Sequence, residues 1–364
     1  MVAPPAFPVS AGTGGSVEIC MYEIGRRLSK DHHVTLISRK SPGFPSKSQF
    51  NHFKIVRLPI QYYWHKVIQY AKKRHFDIIQ IDNRPEMVPL FKKHFPSTRI
   101  LLNLHSLTFM SKLNTPQQRK VMQHTDAVLC NSHYIKQHYR TIFPPFAKKV
   151  HAIHLGTDVN RFRLPTAAEK EQIRSRYAVN KTYNLLYSGR IIPKKGISLL
   201  IKSASLVKKK YPPIHVILVG PCSRSYRNKQ LRMARRLHVP LTFTGNMPPS
   251  TMHHAYWLGD CLISPTQFKE AFGLVNVEAM ASGLPVIASH RGGIPEILNG
   301  QNGITIRDYQ NPQAFAKAIL SLISLPSLRK KLIEAGYQTA HNRFSWSRVA
   351  RDYEHLYELI LSQR

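Results

Sequence analysis

The chain has 364 residues, 43 % hydrophobic and 20 % charged, which exceeds what one core serves and points to two globular domains. Its 53 Lys and Arg against 19 Asp and Glu give a net charge of +34. That charge favours anionic partners (a membrane face, nucleic acid, an acidic polymer or phosphorylated substrates) without choosing among them. No apolar run nears the roughly 18 residues a bilayer span needs. Met1 to Ser10 lacks the basic stretch and small-residue cleavage site of a signal peptide. Cys20, Cys130, Cys222 and Cys261 form no C-x-x-C, so free thiols in a reducing cytosol are expected rather than a zinc site or disulfides.

Near the start, Gly12-Thr13-Gly14-Gly15-Ser16 follows an apolar entry and precedes a helix marked by Val17, Cys20, Met21, Ile24 and Leu28. Its glycines let backbone amides approach a phosphate, although Val17 breaks the dinucleotide fingerprint and a plain turn is the alternative. Buried strands are expected at Val34–Ser38, Ile78–Ile81, Ile100–Leu104, Ala127–Cys130 and Val150–His154. A junction is expected near Gly156-Thr157-Asp158. Further strands follow at Leu185–Tyr187, His215–Val219, Leu241–Phe243, Cys261–Ile263 and Val286–Ala288, with helices at Ile197–Lys210 and Thr251–Leu258. Residues 224–238 carry Arg224, Arg227, Lys229, Arg232, Arg235 and Arg236 and no acid; a solvated helix face and a docking surface are the two readings. Lys66 to His75 is a second basic stretch. A terminal helix is expected over Ser345–Leu361. Strand–helix alternation of this kind argues for parallel α/β sheets.

Ligands of such sheets bind at the carboxyl ends of strands. Ser188-Gly189-Arg190 leads there into Lys194, Lys195 and Gly196, a loop suited to grip a diphosphate, though not a P-loop. Glu270-Ala271-Phe272-Gly273-Leu274-Val275-Asn276-Val277-Glu278 places one scarce acid before a helix and another inside it. A helix start can bind phosphate and a carboxylate can hold vicinal hydroxyls, which suggests a nucleotide-sugar site. Gly292-Gly293-Ile294-Pro295-Glu296 offers either close backbone approach to a ligand or a simple strand-to-helix turn. His105 follows a strand directly and faces either a sugar or the core, and Asp82-Asn83-Arg84 occupies the matching edge and faces an acceptor. His151-x-x-His154 reads as packing, and no H-E-x-x-H or paired-Cys pattern occurs, so no bound metal is expected.

Together these residues resemble glycosyltransferase family 4, retaining enzymes of GT-B architecture, over nearly the whole chain. The resemblance rests on Glu270-x7-Glu278 with Phe272-Gly273, Ala281-Ser282-Gly283-Leu284-Pro285-Val286, Gly292-Gly293-x-x-Glu296, Ser188-Gly189-Arg190 with Lys195-Gly196, Gly14-Gly15, and Gly156-x-Asp158 with Phe162. Gly14-Gly15-Ser16-Val17-Glu18, Gln80-Ile81-Asp82-Asn83-Arg84-Pro85 and Leu104-His105-Ser106 resemble the spore coat group of bacilli. The family implies two Rossmann-like α/β domains whose parallel sheets face across a cleft: 1–155 on the acceptor side, 156–340 binding the nucleotide-sugar, and a helix over 341–364 packing back on the first.

By the same resemblance, Arg190 and Lys195 would neutralise the diphosphate and Glu278 would hold the ribose. Glu270 with Ala271, Phe272, Gly273 and Leu274 would bind the donor sugar and β-phosphate. Gly14 and Gly15 would approach the phosphate, His105 would lie near the donor sugar and acceptor, and Gly245, Asn246 and Met247 near the base. The expected activity is metal-independent, retaining transfer of a hexose from a nucleotide-diphosphate sugar, with no cofactor, to a carbohydrate, lipid-linked or protein acceptor. A role in spore coat or surface polysaccharide glycosylation follows, in the cytoplasm or peripheral to an anionic membrane or spore coat, with no nucleic-acid partner. An inactive coat assembly protein keeping the fold is the alternative. Two features depart from the family: Met1-Val2-Ala3-Pro4 is short for its opening strand, and the basic excess is beyond what donor binding needs.

Overall fold

The computed structural model describes residues 1–11 and 14–362; Gly12 and Thr13 of the glycine loop lie outside them. The chain divides into two compact units, Met1–Gly156 with Trp346–Arg364, and Thr157–Ser345.

The first unit holds β1 (Val34–Arg39), β2 (Lys47–Phe50), β3 (Phe53–Leu58), β4 (Ile78–Asp82), β5 (Arg99–Leu104), β6 (Ala127–Cys130) and β7 (Val150–Ala152). They form two groups, ordered β1-β3-β2 and β4-β5-β6-β7, parallel throughout except for the antiparallel β2–β3 pair. Val2 bridges them, pairing with Ile37 on one side and Ile81 on the other. The opening strand is thus reduced to a few residues: Val2 N donates to Gln80 O at 2.8 Å and Ala3 N to Ile37 O at 2.9 Å. β1 and β3 lie to one side of this strand and β4 to the other, so the chain reverses its direction of travel there. Ala3, Val9, Met21, Leu36, Phe53 and Ile55 form one core of this unit. The terminal helix Trp346–Ser362 buries Trp346, Val349, Tyr353, Leu356 and Ile360 and packs against the helix Ser16–Leu28.

The second unit is one six-stranded parallel sheet, β8 (Tyr183–Ser188), β9 (Ile214–Val219), β10 (Leu241–Gly245), β11 (Cys261–Ser264), β12 (Val286–Ser289) and β13 (Ile304–Ile306), ordered β10-β9-β8-β11-β12-β13. Helices cover its strands, which is why these read as nearly continuous apolar runs; Leu185, Val216, Leu218 and Ile263 are fully buried in its core. β8 leads to β9 and β10 on one side, and the chain then crosses back to lay β11 on the other. The space between β8 and β11 is therefore a topological switch point, where loops leave in opposite directions and open a crevice.

Three strands were not anticipated. β2 is almost wholly exposed and carries no apolar alternation. β3 contains Arg57, buried with its guanidinium donating to Pro45 O at 3.0 Å, Ser48 Oγ at 2.9 Å and Val9 O at 2.9 Å. β13 has only three residues. The parallel α/β sheets expected are present, and β2 adds one antiparallel pair to them.

Candidate functional site

In the second unit, the crevice at the switch point gathers residues from three loops. The loop after β8 runs through Arg190 into the short turn Pro193–Lys195 and then, at Gly196, the helix Ile197–Lys208. Gly196 has φ +78°, and a Cβ there would lie 1.9 Å from Pro265 O in the loop after β11. Only glycine lets the two loops close to this distance. That closeness delivers Lys195 to its partner: Nζ lies 2.6 Å from Glu270 Oε2, with each side chain 19 % exposed. Lys194 and Lys195 both lie over the Phe268 ring, at 4.9 and 5.1 Å from its centre.

Glu270 is fixed from a third loop. A Cβ on Gly292 would stand 2.0 Å from Glu270 O, and Gly293 N donates to that oxygen at 2.9 Å. The Gly292-Gly293 pair thus serves close backbone approach, to the chain at Glu270. Past Glu270, Ala271 leads to Phe272, buried against Phe344 with ring centres 5.8 Å apart. Gly273 caps the helix Leu274–Ala281 without a side-chain bond, so the amides of its first turn have no cap from that residue. A helix start, a lysine and a carboxylate therefore meet at one point.

Glu278, one turn into the helix, bonds to Tyr256 Oη, which also lies 3.4 Å from Ser188 Oγ at the end of β8. Burial raises the Glu278 carboxyl to about 7, while the Tyr256 hydrogen bond and the charge of Arg161 pull it down. Tyr256 and Arg161 were not anticipated as neighbours of this acid; Tyr256 sits on the short helix His253–Trp257, whose periodicity gives no sign of a polar role. Arg190 is exposed on the loop after β8. Its carbonyl accepts from Tyr187 Oη at 2.9 Å. Gly245, Asn246 and Met247 close the edge strand β10; Gly245 O accepts from Gly220 N at 2.9 Å, and no described hydrogen bond joins them to Lys195 or Glu270. A cavity of about 640 Å³ lies at the other ends of the strands, lined by Thr182, Tyr183, Gly259 and Asp260 together with Ser282 and Gly283 of the motif that begins at Ala281, and takes in none of Arg190, Lys195, Glu270 and Glu278.

In the first unit, His105 leaves the carboxyl end of β5, and its Nε2 lies 3.0 Å from Asp82 Oδ1 at the end of β4. A carboxylate accepts, so the His105 ring donates to Asp82 through Nε2, and Asp82 does not engage Nδ1. Asp82 is wholly buried and also accepts from Gln80 Nε2 at 2.8 Å and Asn103 Nδ2 at 2.7 Å. The terminal helix joins this network: Asn103 Nδ2 lies 3.1 Å from Tyr353 Oη, and Tyr357 Oη donates to Gln80 Oε1 at 2.6 Å. Asp82-Asn83-Arg84 lies at the matching strand edge as expected, but Asp82 is buried against His105, which corrects the reading of that residue as facing an acceptor. Asn83, also buried, takes the His105 amide at 2.9 Å, and Arg84 lies over the Phe109 ring at 4.9 Å.

Gly14 and Gly15 precede the helix Ser16–Leu28. Behind them Glu18 is buried at 2 % exposure, its carboxyl accepting from the Gly15 and Glu18 amides and raised by desolvation. Amides expected to await a phosphate thus already have an acceptor in Glu18. The spacing of a helix cap followed three residues later by Glu is the signal that could have found it. His133 and His154 pack edge to face, with ring centres 5.3 Å apart.

Comparison with known proteins bears on the family and the fold. A model of "Glycosyltransferase Family 4" matches residues 13–161, and one of "Glycosyl transferases group 1" matches residues 169–339. The chain is 27 % identical to spore coat protein SA of Bacillus subtilis, covering 98 % of each sequence. In structure it is similar to sucrose-phosphate synthase from Thermosynechococcus elongatus, with a TM-score of 0.79 at 20 % identity over 100 % of this chain and 99 % of that one. It is equally similar to Anabaena Alr3699/HepE in complex with UDP and glucose, with a TM-score of 0.79 at 19 % identity over 98 % of each. These structural neighbours have the GT-B fold, and this chain shares it.

Proposed function

The chain belongs to the family 4 glycosyltransferases, and from that premise we propose that it moves a hexose from a nucleoside-diphosphate sugar to an acceptor with retention at the anomeric carbon. The observation that carries this reading is the meeting of Lys195 and Glu270 beside an uncapped helix start at the β8/β11 switch point.

As the glycosidic bond breaks, the departing diphosphate gains charge. Lys195, Arg190 and the first amides of the helix Leu274–Ala281 are fixed donors suited to that charge, the part a metal plays elsewhere. Glu270 accepts hydrogen bonds from donor-sugar hydroxyls while its ion pair with Lys195 keeps both groups oriented. Glu278 holds the ribose hydroxyls. Attack from the same face, with a departing phosphate oxygen taking the acceptor proton, fits a crevice in which Glu270 is already engaged by Lys195. His105, held by Asp82 at the end of β5, is the group of the first unit suited to the acceptor or donor sugar.

UDP-sugars are the first donors to test, because the Anabaena neighbour is described with UDP and glucose. A radiolabelled donor panel of UDP-, GDP-, ADP- and dTDP-sugars, scored for hydrolysis and transfer with and without EDTA, tests the reading. Turnover that persists in EDTA supports it. An absence of turnover with every donor favours the second reading, an assembly protein that keeps the fold, which the spore coat relative motivates.

A further inference from the structure

Charge in the second unit is segregated by the topology of its sheet. From Gln172 to Gly259 the sequence holds 16 Lys and Arg and no Asp or Glu. This stretch supplies β8, β9 and β10, which are one contiguous half of the sheet; the unit's acids fall outside it, Asp158, Glu169 and Glu171 before β8, and Asp260, Glu270, Glu278, Glu296, Asp308 and Glu334 in the part of the chain that supplies β11, β12 and β13. A protein with 19 acids thus keeps them off an entire half of one domain.

The helix Arg224–Arg236 concentrates the effect. Arg224, Arg227, Lys229, Arg232, Arg235 and Arg236 are all exposed, while Gln230 and Ala234 are buried. At about 100° per residue the six cations span an arc of roughly 200°, the whole outward side of the helix. The neighbouring helix Ile197–Lys208 is tied to it by Ser198 Oγ, 3.0 Å from Gln230 Oε1, and by Ser205 Oγ, 3.4 Å from Leu237 O. That neighbour adds exposed Lys202, and Lys209 and Lys210 follow it. The result is a broad exposed cationic face built from a stretch of sequence with no acid.

We propose that this face docks the protein on an anionic phospholipid bilayer. Guanidinium groups pair with headgroup phosphates, and a planar array of them suits an exposed face of point charges. No large hydrophobic side chain from residues 172–259 is exposed, so nothing inserts below the headgroups and the contact is electrostatic and reversible. The same lack of exposed aromatics disfavours single-stranded nucleic acid, whose bases stack on aromatic platforms. The proposal is independent of the donor assignment, because none of the helix cations belongs to the crevice.

The full chain is sedimented with vesicles of phosphatidylcholine alone and of phosphatidylcholine with about one-third phosphatidylglycerol. Salt is raised from about 0.1 M to about 1 M, which shortens the Debye length from about 10 Å to about 3 Å. The expected result is binding to the anionic vesicles only, released at high salt. Arg224→Glu, Arg232→Glu and Arg235→Glu combined should weaken binding at least tenfold, and the three Gln changes less, while nucleotide binding and circular dichroism stay those of the wild type. Equal binding to neutral vesicles, no binding to anionic ones, or full binding by the charge-reversed variant would overturn the proposal. So would a single-stranded RNA that, at equal phosphate concentration, strips the protein from the vesicles.

Discussion

Lys195 and Glu270 stand 75 positions apart in sequence, yet Nζ and Oε2 meet at 2.6 Å. Two glycine-permitted approaches bring them there: Gly196 against Pro265, and Gly292 against Glu270. The pair holds a cation and an anion ready beside a helix start, where a phosphorylated sugar needs both.

Removing either partner should therefore separate activity from folding. Lys195→Ala and Glu270→Ala are expected to lower donor turnover by about a hundredfold or more, the scale of losing a fixed donor to developing charge. Stability should fall by no more than about 2 kcal/mol, since one charge-assisted bond near the surface is lost. Steady-state kinetics alongside denaturant unfolding checks both halves, and wild-type-like turnover in either variant defeats the assignment.

Gly196→Ala should act through the backbone. A residue with φ +78° whose Cβ would lie 1.9 Å from Pro265 O must shift one of the two loops. A stability loss of about 1–3 kcal/mol is expected from the strain, with a loss of turnover as Lys195 is displaced. A melting temperature and turnover equal to wild type would show that the loop closure is dispensable.

Glu278 gives a pH signature. Burial pushes its carboxyl up to about 7 from the ordinary 4.5, so the folded state binds the proton more tightly. Its contribution to stability is present in full below about 4.5 and is lost as pH rises through about 7. Ribose binding has the opposite dependence, because the ionised carboxylate is the better acceptor. Nucleotide affinity should thus weaken as pH falls below 7, and Glu278→Gln should flatten both profiles. Calorimetric titration from pH 5.5 to pH 8, as about four steps, reads the binding limb; an unchanged slope in the variant removes Glu278 from the site.

The terminal helix should matter to His105. Tyr353→Phe deletes a hydroxyl 3.1 Å from Asn103 Nδ2, at a cost of about 1 kcal/mol. Asp82→Asn removes the carboxylate that accepts from His105 Nε2 and should lower transfer while leaving nucleotide affinity in place. Turnover identical to wild type would reduce Asp82 to packing.

Most strands of the two sheets were legible because they are buried on both faces and so form apolar runs. β2 and β3 were not: β2 lies open to solvent, and Arg57 interrupts β3 with a charge whose partners lie at Val9, Pro45 and Ser48. Glu270, Glu278 and Lys195 stood out because acids are scarce in this chain and because lysines at a strand's end invite a ligand. Their pairing was not legible, since it depends on β8 and β11 becoming neighbours by a crossover. Tyr256, Tyr353 and Tyr357 were missed for a related reason. Each occupies an apolar helical position, and only the fold turns its hydroxyl toward Glu278, Asn103 or Gln80. Glu18 belongs to the motif Gly14-Gly15-Ser16-Val17-Glu18, but its burial against those glycines shows only in the fold.

A crystal structure of the chain with a bound nucleoside diphosphate, UDP first, tests the account most directly. The account predicts the diphosphate within hydrogen-bond reach of Lys195 and the first amides of the helix Leu274–Ala281, with the ribose on Glu278. A diphosphate bound elsewhere in the second unit, such as the cavity beside Tyr183 and Asp260, would contradict it.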